Sequence, residues 1–211
     1  EQPHLELNLE ADSYSGSGDW LDSSGNVNNG TITGATHNDE LGDFFDFNGS
    51  SDKVKGNISG IGSQFTIELW VSPNDFTGNE NLIELYDSAT DASNNRIFFS
   101  SGSLLASKNG GGGGFAQKTS ISSVMTIGKW HHVVARYDGN SSIKLYVDTV
   151  KIAEDLSVSG TFNIAEFAIG VNDDYTQGER NFANAKIGQV RVYNTILSEA
   201  QIRQNYNFTK P

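Results

Sequence analysis

The chain has 211 residues, with 14 Lys plus Arg against 26 Asp plus Glu, a formal net charge of −12, no cysteine, 23 glycines and three prolines. A field of that sign repels phosphate backbones and anionic lipid, which excludes nucleic acid as a partner and favours neutral glycans or divalent cations. Disulfides are excluded, and no apolar run approaches the roughly 20 residues of a membrane helix, so no membrane insertion is expected.

The length suits one large all-β sandwich with a single core, so one domain over 1–211 is expected. Starting at Glu1 with neither Met nor a signal peptide, the chain reads as an excised domain, a processed protein or the ordered part of a longer one. Leu5-Glu6-Leu7-Asn8-Leu9 alternates as a first strand, and a polar segment from Ser13 to Asn38 follows. Phe44 to Val54 reads as a hairpin. Phe65 to Val71 reads as a central strand, with Phe65, Ile67, Leu69 and Val71 on one face, Glu68 and Trp70 on the other, and Pro73 as its stop.

Further strands are predicted at Asn81 to Tyr86, Arg96 to Ser100, Leu104 to Ser107 and Phe115 to Lys118. The five glycines from Gly110 to Gly114 read as a mobile hairpin tip. Gly128 to Asp148 gives two strands around the turn at Tyr137-Asp138-Gly139-Asn140; on the second, Ile143, Leu145 and Val147 share one face. Glu166 to Val171 and Ala185 to Tyr193 complete the set, and the Ser198-x-x-Gln201 capping box starts a short helix to about Tyr206.

Three stretches carry a resemblance. They are Asp22-Ser23-Ser24-Gly25-Asn26-Val27-Asn28-Asn29-Gly30-Thr31, Phe47-Asn48-Gly49-Ser50-Ser51-Asp52-Lys53-Val54, and Gly128-Lys129-Trp130-His131-His132-Val133-Val134 with its Tyr137-Asp138-Gly139 and Lys144-Leu145-Tyr146-Val147-Asp148 continuation. Together they resemble the laminin-G-like jelly-roll domains of the concanavalin A-like lectin/glucanase superfamily. The resemblance implies an antiparallel two-sheet β-sandwich with a short C-terminal helix, and a binding module rather than an enzyme. It also implies that Trp70, Trp130, His131 and His132 are scaffold.

Two departures stand out. The turn after Tyr146-Val147-Asp148 continues with Thr149-Val150 where the family has Asp-Gly, and because a β-branched residue resists positive φ a longer or different turn is expected. The family's C-terminal acidic pair is absent, since Gly188 and Gln189 stand in its place.

Related glycoside hydrolases place two carboxylates on one face of one strand. Retaining hydrolysis needs them about 5–5.5 Å apart, and no pair on one strand here has that spacing: Glu84 and Asp87 are three apart, while Glu154-Asp155 and Asp173-Asp174 are adjacent. Gly110 to Gly114 lacks the Lys-Ser/Thr of a phosphate loop. Catalysis is therefore not expected, and a hydrolase is the distant alternative.

Hard cations take six to eight oxygen ligands, and relatives hold calcium at the rim of the sandwich. The resemblance thus implies a Ca²⁺ site, for which Asp22, Asn26, Asp173 and Asp174 are the candidates, although Asx turns account for many such residues. Glycan binding in such folds uses an exposed aromatic ring with planar polar partners. Trp20 and Tyr175 are the candidate platforms, with Asn172 and Asp173 beside the latter; Trp20 equally suits a pin holding its loop to the sandwich.

Two functions compete: a calcium-assisted carbohydrate-binding or adhesion module at a cell surface or outside the cell, recognising a glycan or cell-surface polysaccharide; and a structural or receptor-binding component of a virus particle, contacting other copies or particle proteins. A lectin needs an aromatic-lined pocket, whereas a particle component needs a large apolar contact face.

Overall fold

The structure is a computed structural model that describes residues 4–39, 42–88, 95–108, 115–118, 121–139, 141–157, 163–174 and 177–209. In chain order these form β1 (Leu5–Glu10), β2 (Thr31–Thr33), β3 (Thr36–Asn38), β4 (Phe44–Asn48), β5 (Lys53–Asn57), β6 (Gln64–Pro73), β7 (Asn79–Tyr86) and β8 (Asn95–Ser100). They continue with β9 (Ser103–Lys108), β10 (Phe115–Lys118), β11 (His131–Asp138), β12 (Ser142–Val147), β13 (Val150–Asp155) and β14 (Glu166–Ile169). Last come β15 (Asn172–Asp174), β16 (Gly178–Arg180), β17 (Asn184–Tyr193) and the helix α1 (Glu199–Phe208). The glycine-rich run at Gly110–Gly114 lies outside the described residues.

Two antiparallel sheets make the sandwich. The first runs β13-β12-β11-β6-β17-β4-β3, with β1 also paired to β17; the second runs β10-β9-β8-β7-β14-β5-β2. The alternation predicted for the central strand is the one observed. Phe65, Ile67, Leu69 and Val71 of β6 enter the core between the sheets, where they meet Val133, Ala135, Ile143, Leu145, Ile187 and Val190 from the same sheet and Ile83, Leu85, Ile97 and Phe167 from the other. Each such side chain contributes roughly 1.5–3 kcal/mol of burial free energy.

The other face of β6 is buried too, because α1 lies over it. Trp70 stacks on Tyr206 with ring centroids 5.4 Å apart, and its Nε1–H donates to Thr209 Oγ1 at 2.8 Å. Asn205 Nδ2 donates to buried Glu68 Oε2 at 2.7 Å, and His132 Nε2 lies 3.3 Å from Glu68 Oε1. The predicted capping box is present: Ser198 Oγ accepts from the Gln201 N–H while Gln201 Oε1 accepts from the Ser198 N–H. This end of the helix is therefore set by local sequence, and its docking by the polar floor beneath it. Trp130 lies at the edge of the sandwich rather than in its core. It is half-buried and packs edge-on against Phe44, centroids 5.8 Å apart.

The turn between β12 and β13 corrects the sequence expectation. It is a tight connection through Asp148 and Thr149 alone, with φ of 48° and 72°. The β-branched residue is held in the left-handed region because Asp148 is anchored from outside the turn: its Oδ2 lies 2.7 Å from His131 Nδ1, and its Oδ1 accepts from the His132 N–H at 2.9 Å. Gly188, one of the two residues replacing the acidic pair, forms a bulge where the β17–β6 register shifts between Ile187 and Gln189.

Candidate functional site

The loops between β4 and β5, between β6 and β7, and between β16 and β17 meet at one end of the sandwich and enclose a cleft of about 410 Å³. A second hollow of about 400 Å³ continues it past Asn38, Asp46 and Asn74, and both are bordered by Asn48 and Asn184. The result is a furrow walled by short amides and carboxyls.

Asn184, the first residue of β17, organises it. Its N–H donates to Glu80 Oε2 at 2.9 Å, its Nδ2 donates to Asp75 Oδ2 at 2.8 Å, and its Oδ1 accepts from Asn74 Nδ2 at 3.0 Å. Asp75 heads a local Asx turn, accepting at Oδ1 from both the N–H and the hydroxyl of Thr77. Asn48 does the same for the opposite loop, accepting from the Ser50 and Ser51 N–H groups and donating to Asp52 Oδ1 at 2.8 Å. Gly78 lies over Glu80 Oε1, which a Cβ would approach to 3.3 Å. Phe182 supplies a partly exposed apolar surface beside Asn181, whose φ of 54° turns the chain back into β17.

The carboxyls are electrostatically coupled. Glu80 is 5% exposed, and burial first, then the neighbouring Asp75 charge, push it up to about 7 against the pull of the Asn184 N–H. Asp75 is held below the ordinary aspartate value, chiefly by the Thr77 N–H. The two carboxyls hydrogen-bond each other. They are thus a proton-sharing pair, too close to flank a glycosidic bond, which requires carboxyls about 5–9.5 Å apart.

Among the described residues, those predicted from sequence do not line this cleft. Trp20 is 0% exposed: its ring packs on Phe45, centroids 4.5 Å apart, and its backbone pairs with Gly30 in both directions. It is the pin that holds the loop, and its role as a sugar platform is corrected. Asn172 is likewise buried, donating to Glu84 Oε2 at 2.8 Å and accepting from Arg180 Nε at 3.1 Å, so it has no face toward a ligand. Tyr175 and the side chain of Asp174 lie outside the described residues.

Three of the residues expected to hold calcium, Asp22, Asn26 and Asp173, are engaged by neighbouring groups. Asp22 fills both carboxylate oxygens with the N–H groups of Asn8, Ser24 and Asn28 and the Ser24 hydroxyl, and Asn26 donates its amide to Leu5 and Glu6 carbonyls. Asp173 belongs to a separate network, where its Oδ2 accepts from Tyr86 Oη at 2.8 Å and Lys55 Nζ at 2.5 Å. An ammonium there already supplies the positive charge, and it also meets Glu179, which in turn pairs with Lys53. Among the described residues no three His, Asp or Glu side chains gather as a metal-binding group. One oxygen-rich place among the described residues is the Asp75–Glu80 pair with Asn48 and Asn79 around it.

Asp75, Glu80 and Asn184 were not found from the sequence as a site because they are brought together only by the pairing of distant strands. The one local signal was the Asp75-Phe76-Thr77-Gly78 turn, one residue beyond Pro73.

A laminin-G family model described as the concanavalin A-like lectin/glucanases superfamily matches residues 48–203. The chain belongs to this superfamily. No curated protein matches it. Among solved structures, domain 4 of AbnA, a GH43 extracellular arabinanase from Geobacillus stearothermophilus solved with arabinotriose, is similar over 97% of this chain and 98% of its own, at 20% identity and a TM-score of 0.76. The receptor binding domain of botulinum neurotoxin C/D mosaic serotype is similar over 98% of this chain, at 14% identity and a TM-score of 0.76. The binding domain of botulinum neurotoxin DC, in complex with SialylT, covers 97% at 15% identity and a TM-score of 0.75. This chain spans about half of each toxin domain, 51% in both cases. At these identities the superfamily member shares their fold.

Proposed function

We propose that this superfamily member is an extracellular, non-catalytic carbohydrate-binding module whose ligand occupies the rim cleft around Asn48, Asp75, Glu80 and Asn184. The observation that carries the reading is a polar furrow whose amides and carboxyls are fixed in place by hydrogen bonds to one another before any ligand arrives. Sugar hydroxyls both donate and accept, so they match amide and carboxyl edges, and a pre-ordered set of these loses little side-chain entropy on binding. Phe182 adds an apolar surface for a ring face. A carboxyl pair in mutual contact supports binding over hydrolysis. The extracellular setting and the glycan class draw support from the arabinotriose-bound domain of an extracellular arabinanase with the same fold. Among the described residues no helix is long and apolar enough to cross a membrane.

The test is a glycan array followed by titration calorimetry on the best ligand, with Asn184→Ala and Asn48→Ala checked for folding by thermal melting. At least one neutral oligosaccharide should bind, and each variant should weaken it about tenfold or more, the equivalent of ~1.4 kcal/mol. An array with no signal, or binding unchanged in both folded variants, would overturn the assignment.

A further inference from the structure

The rim cleft holds two acids against each other, Asp75 in the loop before β7 and Glu80 on β7 itself. Their carboxyls hydrogen-bond, and a bond between two carboxyls needs a proton on one of them. The surrounding donors decide which. Asp75 Oδ1 accepts from the Thr77 N–H at 2.8 Å and from the Thr77 hydroxyl at 2.9 Å, and its Oδ2 accepts from Asn184 Nδ2 at 2.8 Å. Glu80 accepts from the Asn184 N–H at Oε2, 2.9 Å away. Three donors on Asp75 against one on Glu80, among the described residues, mark Asp75 as the carboxylate and Glu80 as the acid that donates to it. With Oε2 facing an N–H, the acid proton sits on Oε1, the oxygen beneath Gly78.

The neighbouring elements bring no base to this pair. β8 sets Phe99 opposite Glu80, β17 contributes the amide of Asn184, and the loop between β16 and β17 contributes Asn181 and Phe182, none of them charged. The titratable groups of the adjoining hollow, Asp46 and Asp52, are acids as well. Among the described residues that line the two hollows there is no Lys, Arg or His. The proton is therefore the one positive charge the cleft supplies to its own acids. Burial first, and then the Asp75 charge, bring the ionisation of Glu80 up to about 7.

We propose that the Asp75–Glu80 pair is a proton gate on the rim cleft: the shared proton draws the Asp75 loop onto β7 and keeps the cleft in its binding shape, and its loss to solvent lets the loop move away. The gate rests on the glycan-binding reading for what it controls. Two adjacent carboxylates with no cation between them repel, and the loop that carries Asp75 is the movable partner because Glu80 is fixed in a strand. Its departure reaches further than one residue. Asp75 holds Asn184 Nδ2, and Asn184 Oδ1 in turn holds Asn74, so all three side chains lose their fixed places together. A ligand must then order them again, and that cost appears as lost affinity. The ligand accordingly favours the protonated form, its affinity falls as pH rises through neutrality, and its binding takes up protons.

The experiment has two arms, both on the whole chain with EDTA present so that no metal ion stands in for the proton. In the ligand-free protein, NMR follows the Glu80 side-chain carboxyl carbon with the Gly78 and Asn184 amides from pH 5.5 to 8.5. All three should share one inflection near pH 7 in the wild type. Glu80→Gln puts an N–H where the acid proton was and keeps an acceptor for the Asn184 N–H, so in this variant, with its melting temperature as a folding check, the two amides should not titrate. In the second arm, calorimetry with arabinotriose, xylotriose, cellotriose and maltotriose is run at pH 5.5 and 8.5. Whichever of them binds should do so about tenfold more weakly at the higher pH, with a heat that varies with the ionisation enthalpy of the buffer. In Glu80→Gln the ratio of the two affinities should approach one. Amides that keep the inflection in Glu80→Gln, a Glu80 carbon that titrates without them, or equal wild-type affinities at both pH values would overturn the gate and leave the rim cleft as the binding place. Amides that titrate with Glu80 in a chain that binds none of the four sugars at either pH would instead overturn the glycan reading, while the proton-driven movement of the loop stands.

Discussion

His131 and Asp148 are joined at 2.7 Å between Nδ1 and Oδ2, and the other ring nitrogen, Nε2, accepts from the Thr126 N–H at 2.9 Å. A backbone N–H can only donate, so Nε2 is unprotonated and the ring proton sits on Nδ1, facing the carboxylate. One imidazole thus ties the chain before β11 to the turn after β12, and it is the reason that turn tolerates two residues at positive φ.

Asp148→Ala removes two hydrogen bonds to a carboxylate and should destabilise by about 2 kcal/mol in urea denaturation. Thr149→Gly releases a β-branched residue from the left-handed region and should stabilise by about 1 kcal/mol. Burial raises the Asp148 carboxyl, but the bonds from His131 and the His132 N–H outweigh it and hold it below the ordinary aspartate value. A depressed acid contributes stability above its unfolded value near pH 4 and loses it as pH falls further. The gap between wild type and Asp148→Ala should therefore close in acid; a gap constant down to pH 2 would refute this account.

Glu80 has the opposite sign. Its folded value of about 7 lies above the ordinary 4.5, so between these the folded chain keeps a proton that the unfolded chain releases, and stability falls as pH rises across that window. The loss across that window is roughly 3 kcal/mol. Glu80→Gln keeps an acceptor for the Asn184 N–H without the charge. Its melting temperature should exceed wild type at pH 8 and match it near pH 4.5; parallel curves at both would show that Glu80 ionises freely.

Calcium titration discriminates between the residues expected to bind it and those the geometry leaves open. Calorimetry with CaCl₂ should give no heat that Asp22→Asn or Asp173→Asn removes, because the first carboxylate is filled by backbone and hydroxyl donors and the second by Lys55 and Tyr86. A heat abolished by either substitution would place the ion there, whereas one abolished by Asp75→Asn would place it in the rim cleft.

Period-two patterning made β6 legible from sequence, because its core face is an unbroken series of Phe65, Ile67, Leu69 and Val71. The helix start was legible from Ser198 and Gln201, whose reciprocal bonds are local. Trp20 was legible only as one of two equal readings, platform or pin: its segment is polar, and burial comes from Phe45 and Gly30, which the local sequence does not bring to it. The Asp148-Thr149 turn misled for a similar reason, since propensity argued against it and His131, 17 residues earlier, overrode propensity. The short β2, β3, β15 and β16 have three residues each, too few for a periodic signal. The rim cleft draws on positions 75, 80 and 184, so only its Asx turn could have been read locally.

The bond from Gln189 to Glu10 spans 179 residues. Among the described strands β1 pairs with β17 alone, so a strand made early is among the last to be seated. Until β17 is complete, Leu7 and Leu9 have no partner strand and the middle of β6 has a free edge. Loop closure on this scale is slow, and a newly made chain therefore holds an adhesive, half-finished sheet for as long as β17 is withheld.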